Sequence, residues 1–239
     1  ARFYTRVSER LRHKSRALTP WDYERLVLQR FAAIYKAKCL PAAAAKGPGA
    51  VDVLVIPDLR AQLPADAFAP RASADLLAEV QAHLEEVAPA SARIVVRNPH
   101  YVAVSVRLGV RFHAGEDVRR ASERLGDDLS RFLSPWAYDE GAELTIGGRI
   151  YASSILDFVD RRDYVDYVAE IRLARSENGV DFTVLPPTDE DYHVAAERPD
   201  QVLVAARRHH IDVIRERDYQ QTSFTGIDYL KVELDFIIG

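Results

Sequence analysis

The residues best suited to chemistry are acids and histidines in the last quarter of the chain. Asp189, Asp191 and His193 lie close together in sequence, and the fold could bring His209 to the same place. Carboxylates and imidazoles bind divalent metals, and a bound metal can activate water for hydrolysis. One hypothesis is therefore a metal-dependent hydrolase that uses Asp189, Asp191, His193 and His209. The acids lack the spacing of a calcium loop, so we favour a solvated acidic loop.

Other catalytic signatures are missing from the sequence. It contains no glycine-rich phosphate loop, no G-x-S-x-G nucleophile motif and no H-E-x-x-H motif. A single cysteine, Cys39, excludes an internal disulfide framework, and its apolar neighbours predict a small buried side chain. We therefore expect a protein that is not an enzyme and that uses no cofactor or metal.

The composition is that of an ordinary globular protein. The 239 residues are 48% hydrophobic and carry a formal net charge of −4. This charge does not favour a nucleic-acid-binding or polybasic membrane protein. We therefore expect no nucleic-acid partner. No apolar stretch is long enough to cross a bilayer, so we also expect no direct membrane insertion. The absence of methionine suggests a piece of a longer chain.

The first half of the sequence predicts a compact α-β-β-α-β unit. Thr19, Pro20 and Asp22 form a helix start of the capping-box type. A strand at 51–56 is apolar on both faces, which is typical of a central strand. The other elements are predicted at about 20–32 (helix), 34–40 (strand), 73–87 (helix) and 93–97 (strand). The predicted core residues are Phe31, Val53, Val55, Leu77 and Leu84.

The second half predicts a β-α-(β)-α-β unit. Six apolar residues alternate with other residues over 101–112, which indicates a half-buried strand. A helix begins at Gly115, Glu116 and Asp117, with the acids in its first turn, and ends before Pro135. Ser154 begins a capping-box pattern for a short helix to about 161, and a strand follows at 165–173. The predicted core residues are Val104, Val106, Leu125, Leu129 and Ile155.

These patterns together predict an α+β, or mixed α/β, fold of two tandem small two-layer α/β units with additional C-terminal strands. We divide the chain into a basic lead-in arm (1–18), a first unit (19–98), a second unit (99–175) and an acidic loop with C-terminal strands (176–239).

Both ends of the chain suggest contacts with partners. The arm carries Arg6, Arg10 and Arg12 and has few apolar residues, so we interpret it as a solvated or partner-packed segment. The last residues alternate as a strong strand, which needs a sheet to join, its own or a partner's. The interface residues predicted there are Leu230, Val232, Leu234 and Phe236.

Several segments of the sequence resemble a known family. The run from Arg6 to Leu28 reads RVSERLRHKSRALTPWDYERLVL, and it is followed by IYKAKCL at 34–40. With FLSP at 132–135 and IGGRIYASSI at 146–155, these segments resemble baseplate J-type wedge proteins of contractile injection systems, which are phage-tail-like particles. The segments at 202–212 and 230–239 resemble the end of the larger wedge subunit.

The resemblance implies a structural role without catalytic residues. In that family two paralogous wedge subunits pair, six wedges surround a hub and spike, and the ring triggers sheath contraction. The implied partners are the paralogous wedge subunit, the hub and spike, and the sheath-proximal baseplate proteins. The implied location is the cytoplasm during assembly, then the baseplate of a particle that can be released. A free-standing interaction domain is a further alternative.

Overall fold

The computed structural model describes residues 16–40, 49–58, 66–138, 142–187 and 192–214. Within these ranges the chain forms four α-helices and ten β-strands. The helices are α1 (Pro20–Arg30), α2 (Ala74–Val87), α3 (Val118–Leu133) and α4 (Ala152–Asp160), with a 3₁₀ turn at Pro135–Ala137. The strands are β1 (Ile34–Cys39), β2 (Ala50–Pro57), β3 (Arg93–Arg97), β4 (His100–Phe112), β5 (Arg149–Tyr151), β6 (Val165–Ser176), β7 (Thr183–Val184), β8 (His193–Ala195), β9 (Gln201–Ala205) and β10 (His210–Val213).

The first sheet has the order β1-β2-β3, with β1 antiparallel and β3 parallel to β2. The central position predicted for residues 51–56 is confirmed, since Val53 and Leu54, which face opposite sides of the sheet, are both completely buried. Val27 of α1 and Leu84 of α2 pack against the sheet in one apolar core. Burial on both faces explains why this strand is apolar except at Asp52, whose carboxylate is paired with Arg97.

Helix α1 begins as its sequence predicts. The Thr19 N–H donates to Asp22 Oδ2 at 2.8 Å, and the Asp22 N–H donates to Thr19 Oγ1 at 3.3 Å, which completes the capping box. The helix ends at Arg30, two residues earlier than predicted. Phe31 is the C-cap and is only partly buried, as is Leu77, so both lie at the edge of the core rather than within it.

The second sheet is built around the long strand β4. Strand β6 runs antiparallel along one edge of β4, while β9 and β10 lie parallel to it, one after the other, along the opposite edge. The predicted alternation is confirmed, because all six apolar side chains of β4 from Val102 to Phe112 are buried. They pack against α3 and α4 through Leu125, Leu129 and Ile155.

Three predictions about the second half need correction. Asp117 caps α3 from outside the helix, which begins at Val118. Helix α4 begins at Ala152 rather than at a Ser154 cap, because β5 leads directly into it and the Ala152 N–H donates to the Tyr192 carbonyl at 2.9 Å. The acidic loop predicted after residue 176 contains two short strands, β7 and β8.

A shared apolar cluster joins the two sheets. Ile56 of β2 and Tyr101 of β4 meet Leu144, Val202 and Val204 there, and all five are buried. The mixed α+β fold class is confirmed. The boundaries that divide the chain into an arm, two units and a C-terminal segment stay predictions.

Candidate functional site

The residues of the hydrolase hypothesis are described only in part. Asp189 and Asp191 lie outside the described residues. His193 lies on β8 beside Tyr151, with their ring centroids 5.4 Å apart, whereas His209 directly precedes β10. In the described part of the chain, no group of three His, Cys, Asp or Glu side chains could hold a metal ion.

His193 and His209 belong to different parts of the fold, His193 to the β5–β8 pair and His209 to the edge of β4. The Tyr192 hydroxyl, next to His193 in sequence, accepts a hydrogen bond from the Leu173 N–H at the outer edge of β6. His209 is bound to the Val106 N–H at the opposite edge of β4. Among the described residues, these histidines do not join a group that could hold a metal ion.

Cys39 is also unsuited to nucleophilic chemistry. It is buried, as predicted, and burial, aided by the negative charge of Glu24, raises the pKa of its thiol to about 11. The thiolate is the reactive form of cysteine, so this side chain is inert near neutral pH.

His209 has a structural role that its sequence context did not reveal. Strand β9 ends at Ala205 and β10 begins at His210, so neither strand supplies an acceptor for the Val106 N–H along the edge of β4 that they share. The His209 Nδ1 accepts a hydrogen bond from this N–H at 3.2 Å. Burial lowers the pKa of the ring to about 4, so the imidazole is neutral at pH 7 and can accept the bond. The side chain thereby completes the sheet.

Arg97 connects the first sheet to the second. Its Nη1 donates to Oδ2 of Asp200, the residue directly before β9, at 2.8 Å. Its Nη2 donates to Oδ2 of Asp52, on β2, at 3.3 Å. Burial acts to raise the pKa of Asp200, but the hydrogen bond and charge of Arg97, with Arg198, outweigh it and lower this pKa. The charges therefore hold the two sheets together where the chain passes from β3 to β4.

A second connection joins β1 to the segment before β5. The Lys36 Nζ donates to the Leu144 carbonyl at 2.7 Å, and Leu144 itself is buried in the shared cluster. The Tyr101 hydroxyl of β4 donates to the Pro70 carbonyl, and burial raises the pKa of this tyrosine. These contacts, like those of Arg97, restrain movement between the two sheets.

Among the described residues, a short segment that leads into β7 groups several exposed apolar side chains. Val180, Phe182 and Val184 are 77%, 38% and 58% exposed. Asn178 holds the preceding turn, because its Oδ1 accepts the N–H groups of Val180 and Asp181 at 2.9 Å. Apolar side chains grouped in this way are typical of protein contact surfaces. We call this segment the 180–184 ridge.

A surface cavity of about 370 Å³ lies beside the 180–184 ridge. Phe182 forms one wall of it, and side chains of β4 and β9 form another. The apolar lining residues include Phe68, Tyr101, Ala103 and Val204. Sequence analysis placed this region in a solvated loop. The alternation of Val180, Phe182 and Val184 was the available signal for a half-exposed extended segment.

The sheet face opposite α3 and α4 carries paired charges. Arg107 is bound to Asp212 at 2.6 Å, and Arg172 is bound to Glu170 at 2.7 Å. The bond to Arg107 lowers the pKa of Asp212. These two cations therefore each have an anion beside them on this face.

The interface predicted from the chain ends lies outside the described residues. This applies to Arg6, Arg10 and Arg12 of the arm and to Leu230, Val232, Leu234 and Phe236 near the C-terminus. In the part of the chain that the structure describes, no helix has the length and apolar character needed to span a membrane.

Comparison with solved structures shows a known fold. A chain in the cryo-EM structure of the anti-feeding prophage (AFP) baseplate, 6-fold symmetrised, matches with a TM-score of 0.57 and 20% sequence identity. The match covers 87% of this chain and 40% of that chain, so this chain spans less than half the length of its structural relative. At this identity the likeness shows the fold alone.

Comparison of sequences shows the family. No curated protein matches the sequence. The model of a family described as "Baseplate protein PVC11-like" matches residues 1–187, which is more than three quarters of the chain. The chain therefore belongs to the PVC11-like family of baseplate proteins.

Proposed function

We propose that this chain is a structural, non-enzymatic subunit of the baseplate wedge in a contractile injection system. The observation that carries the proposal is the family match over residues 1–187. The similarity of fold to a chain of the anti-feeding prophage baseplate supports it. In this proposal the chain corresponds to the C-terminal portion of the larger wedge subunit, of the baseplate J type.

The way the two sheets are joined supports a mechanical role in the baseplate. Arg97 binds Asp52 and Asp200, which belong to different sheets, and a buried cluster continues across the same junction. A subunit that passes a conformational signal from hub to sheath must move as a unit, because a hinge within it would absorb the displacement. The junction therefore suits a wedge that helps to trigger contraction.

The proposed partners are the paralogous wedge subunit, the hub and spike, and the sheath-proximal baseplate proteins. The 180–184 ridge supplies an exposed apolar surface for one of these contacts. The arm residues Arg6, Arg10 and Arg12 would meet an acidic surface of a neighbour. The subunit would assemble in the cytoplasm and then reside in the baseplate of a phage-tail-like particle, which can be released from the cell.

The experiment is reconstitution of the particle with variants of this chain. Phe182→Asp combined with Val184→Asp should prevent its incorporation into baseplates, as seen by co-purification and electron microscopy. Val118→Asp is the matched control, because Val118 is also an exposed valine, at 49%, but lies at the start of α3. This control should assemble normally.

One result would contradict the proposal, and a second would contradict only the role of the ridge. If the wild-type chain is missing from purified particles and elutes as a discrete monomer, a free-standing interaction domain is the better description. If the ridge variant assembles as well as the control, the wedge proposal can stand, but the ridge is not one of its contacts.

A further inference from the structure

An asparagine–glycine pair lies in the turn between β6 and the 180–184 ridge. Strand β6 ends at Ser176, and the pair that follows, Asn178 and Gly179, is exposed. Asparagine is a chemically labile residue. It is most labile before glycine, because glycine has no side chain to hinder the attack of its backbone nitrogen on the asparagine amide. The contacts of this turn therefore decide how long Asn178 remains an asparagine.

The turn needs both members of the labile pair. Gly179 has a φ of +73°, in the left-handed region that favours glycine. The Asn178 Oδ1 accepts the N–H groups of Val180 and Asp181 at 2.9 Å, and the Asn178 Nδ2 donates to Asp181 Oδ2 at 2.8 Å. An aspartate at position 178 would lack the Nδ2 donor and would place a second carboxylate beside Asp181. The fold thus retains a sequence that is chemically unstable.

Ser176 binds both reacting groups of the pair. Its side chain is buried, its hydroxyl donates to Asn178 Oδ1 at 2.9 Å, and its Oγ accepts the Gly179 N–H at 2.9 Å. In deamidation, the Gly179 nitrogen must lose this proton and reach the Cγ atom of Asn178. The two bonds to Ser176 hold the nitrogen and the amide in the turn, so both oppose the reaction.

The reaction needs only water. The Gly179 nitrogen bonds to Cγ of Asn178, the Cγ–Nδ2 bond breaks, and the proton of the attacking nitrogen passes through solvent to the leaving amide, which departs as ammonia. This closes a succinimide ring, which water then opens. Addition of water at Cγ gives aspartate. Addition at the backbone carbonyl carbon of residue 178 gives isoaspartate, whose main chain is one atom longer.

We propose that Asn178 is a deamidation site that Ser176 protects, and that its isoaspartate product releases the turn that holds the 180–184 ridge. The additional main-chain atom separates the N–H groups of Val180 and Asp181 from their acceptor. The fold therefore carries a device that loosens an exposed apolar segment irreversibly as the protein ages. The inference does not depend on the proposed baseplate role.

The chain contains its own control for this chemistry. Its second asparagine, Asn98, precedes Pro99, whose nitrogen carries no proton that it could lose. The Asn98 side chain is also held at both ends, because its Oδ1 accepts the Ala72 N–H at 2.7 Å and its Nδ2 donates to the Ala72 carbonyl at 3.0 Å. Asn98 should therefore remain unchanged while Asn178 reacts.

Mass spectrometry of the full chain, incubated at mildly alkaline pH, provides the first test. The peptide that contains Asn178 should gain about one dalton and contain isoaspartate, whereas the Asn98 peptide should not change. In urea that unfolds the chain, conversion of Asn178 should be at least about fivefold faster, the factor that corresponds to one hydrogen bond of about 1 kcal/mol. Equal rates in the folded and unfolded chains would overturn the proposal, as would no conversion in urea.

Ser176→Ala tests the protecting residue. This change removes both hydroxyl bonds and should raise the rate at Asn178 about fivefold, while the circular dichroism spectrum stays native. Thr183→Ala is the matched control, because the exposed Thr183 side chain lies nearby on β7 and its loss should leave the rate unchanged. A rate for Ser176→Ala no higher than that of wild type would overturn the proposal. The comparison of folded and unfolded wild type decides the question if Ser176→Ala does not fold.

Amide hydrogen exchange, followed by NMR, tests the release of the ridge. The aged protein that contains isoaspartate is separated by ion exchange, since the product carries one additional negative charge. Its Val180 and Asp181 amides should exchange faster than in fresh protein. The Leu185 amide, which donates to the Leu173 carbonyl at 2.9 Å, is the internal control and should stay protected. Unchanged exchange at Val180 and Asp181 would show that the product does not release the turn.

Discussion

The Nδ1 atom of His209 lies 3.2 Å from the backbone nitrogen of Val106 and accepts its hydrogen bond. The bond lies in the gap between the end of β9 and the start of β10, along the edge of β4 that both strands share. Without the imidazole, the Val106 N–H would be a buried donor without a partner, which is costly. A side chain thus completes the hydrogen bonding of β4, the longest of the described strands.

This bond predicts a pH dependence of stability. Burial lowers the pKa of His209 from 6.5 to about 4, so the unfolded chain takes up a proton before the folded chain does. The free energy of unfolding should therefore fall as the pH is lowered from 6.5 towards 4, by up to about 3 kcal/mol. Urea denaturation of wild type and His209→Gln across this range measures the effect. Equal slopes for the two proteins would contradict it.

Removal of the imidazole should destabilise the protein at neutral pH as well. His209→Ala leaves the Val106 N–H without its acceptor and should lower the free energy of unfolding by about 1–3 kcal/mol. His210→Ala is the matched control, because His210 is exposed and should change stability by less than about 0.5 kcal/mol. The bond is unimportant if both variants unfold at the same urea concentration.

The packing of α3 on β4 predicts a large effect of a single truncation. Leu125 is completely buried among the side chains of β4 and α4, so Leu125→Ala should cost about 2–5 kcal/mol in unfolding free energy. The measurement is equilibrium denaturation followed by circular dichroism. Val118→Ala at the exposed start of α3 is the control. A loss below about 0.5 kcal/mol for Leu125→Ala would mean that this helix face is not buried.

The junction between the sheets predicts a different pH signature. Arg97→Met should lower stability by about 1–3 kcal/mol at pH 7, because Asp52 loses the Arg97 cation and Asp200 is left with Arg198 alone. Since Arg97 helps to hold the pKa of Asp200 below 3.8, its contribution is present above that pH and lost as the pH falls further. The difference between wild type and variant should therefore shrink below pH 3.8.

Arg119→Met is the control for the junction variant. Arg119 forms an ion pair with Glu123, and both side chains are exposed. Such surface pairs contribute little to stability. If Arg119→Met costs as much as Arg97→Met in the same denaturation experiment, the junction has no special importance.

The basic arm predicts an assembly defect without a folding defect. Reversal of Arg6, Arg10 and Arg12 to glutamate should reduce co-purification with the other baseplate proteins and leave the circular dichroism spectrum unchanged. The reason is that an arm that meets an acidic surface would be repelled after the change. A matched control reverses the exposed Arg119, Arg120 and Arg161 of the helices. Normal assembly of the arm variant would refute this contact.

Much of the local structure could be predicted because its causes are local. Thr19 and Asp22 are three residues apart, so their reciprocal hydrogen bonds follow from the sequence alone. The alternation from Val102 to Phe112 reflects the two faces of one strand, and it predicted correctly which side chains are buried. The start of α4 was predicted wrongly because the Tyr192 carbonyl, forty residues away, accepts the hydrogen bond of its first N–H group.

The candidate sites depended more on distant contacts. His193 and His209 were grouped because they are chemically similar, but they belong to strands whose position relative to β4 and β6 no local pattern specifies. The 180–184 ridge has an alternating pattern, but alternation does not reveal whether a neighbouring element covers the apolar side.

The sequence by itself determined the helices, the main strands, their buried faces and the resemblance to baseplate proteins, because each depends on residues a few positions apart. Only the tertiary structure decided that β9 and β10 share one edge of β4, that Arg97 joins Asp52 to Asp200, and that His209 completes the sheet. The bond between His209 and Val106 joins residues 103 positions apart. Such pairing depends on the free energy of the whole packed chain, and no local pattern encodes it.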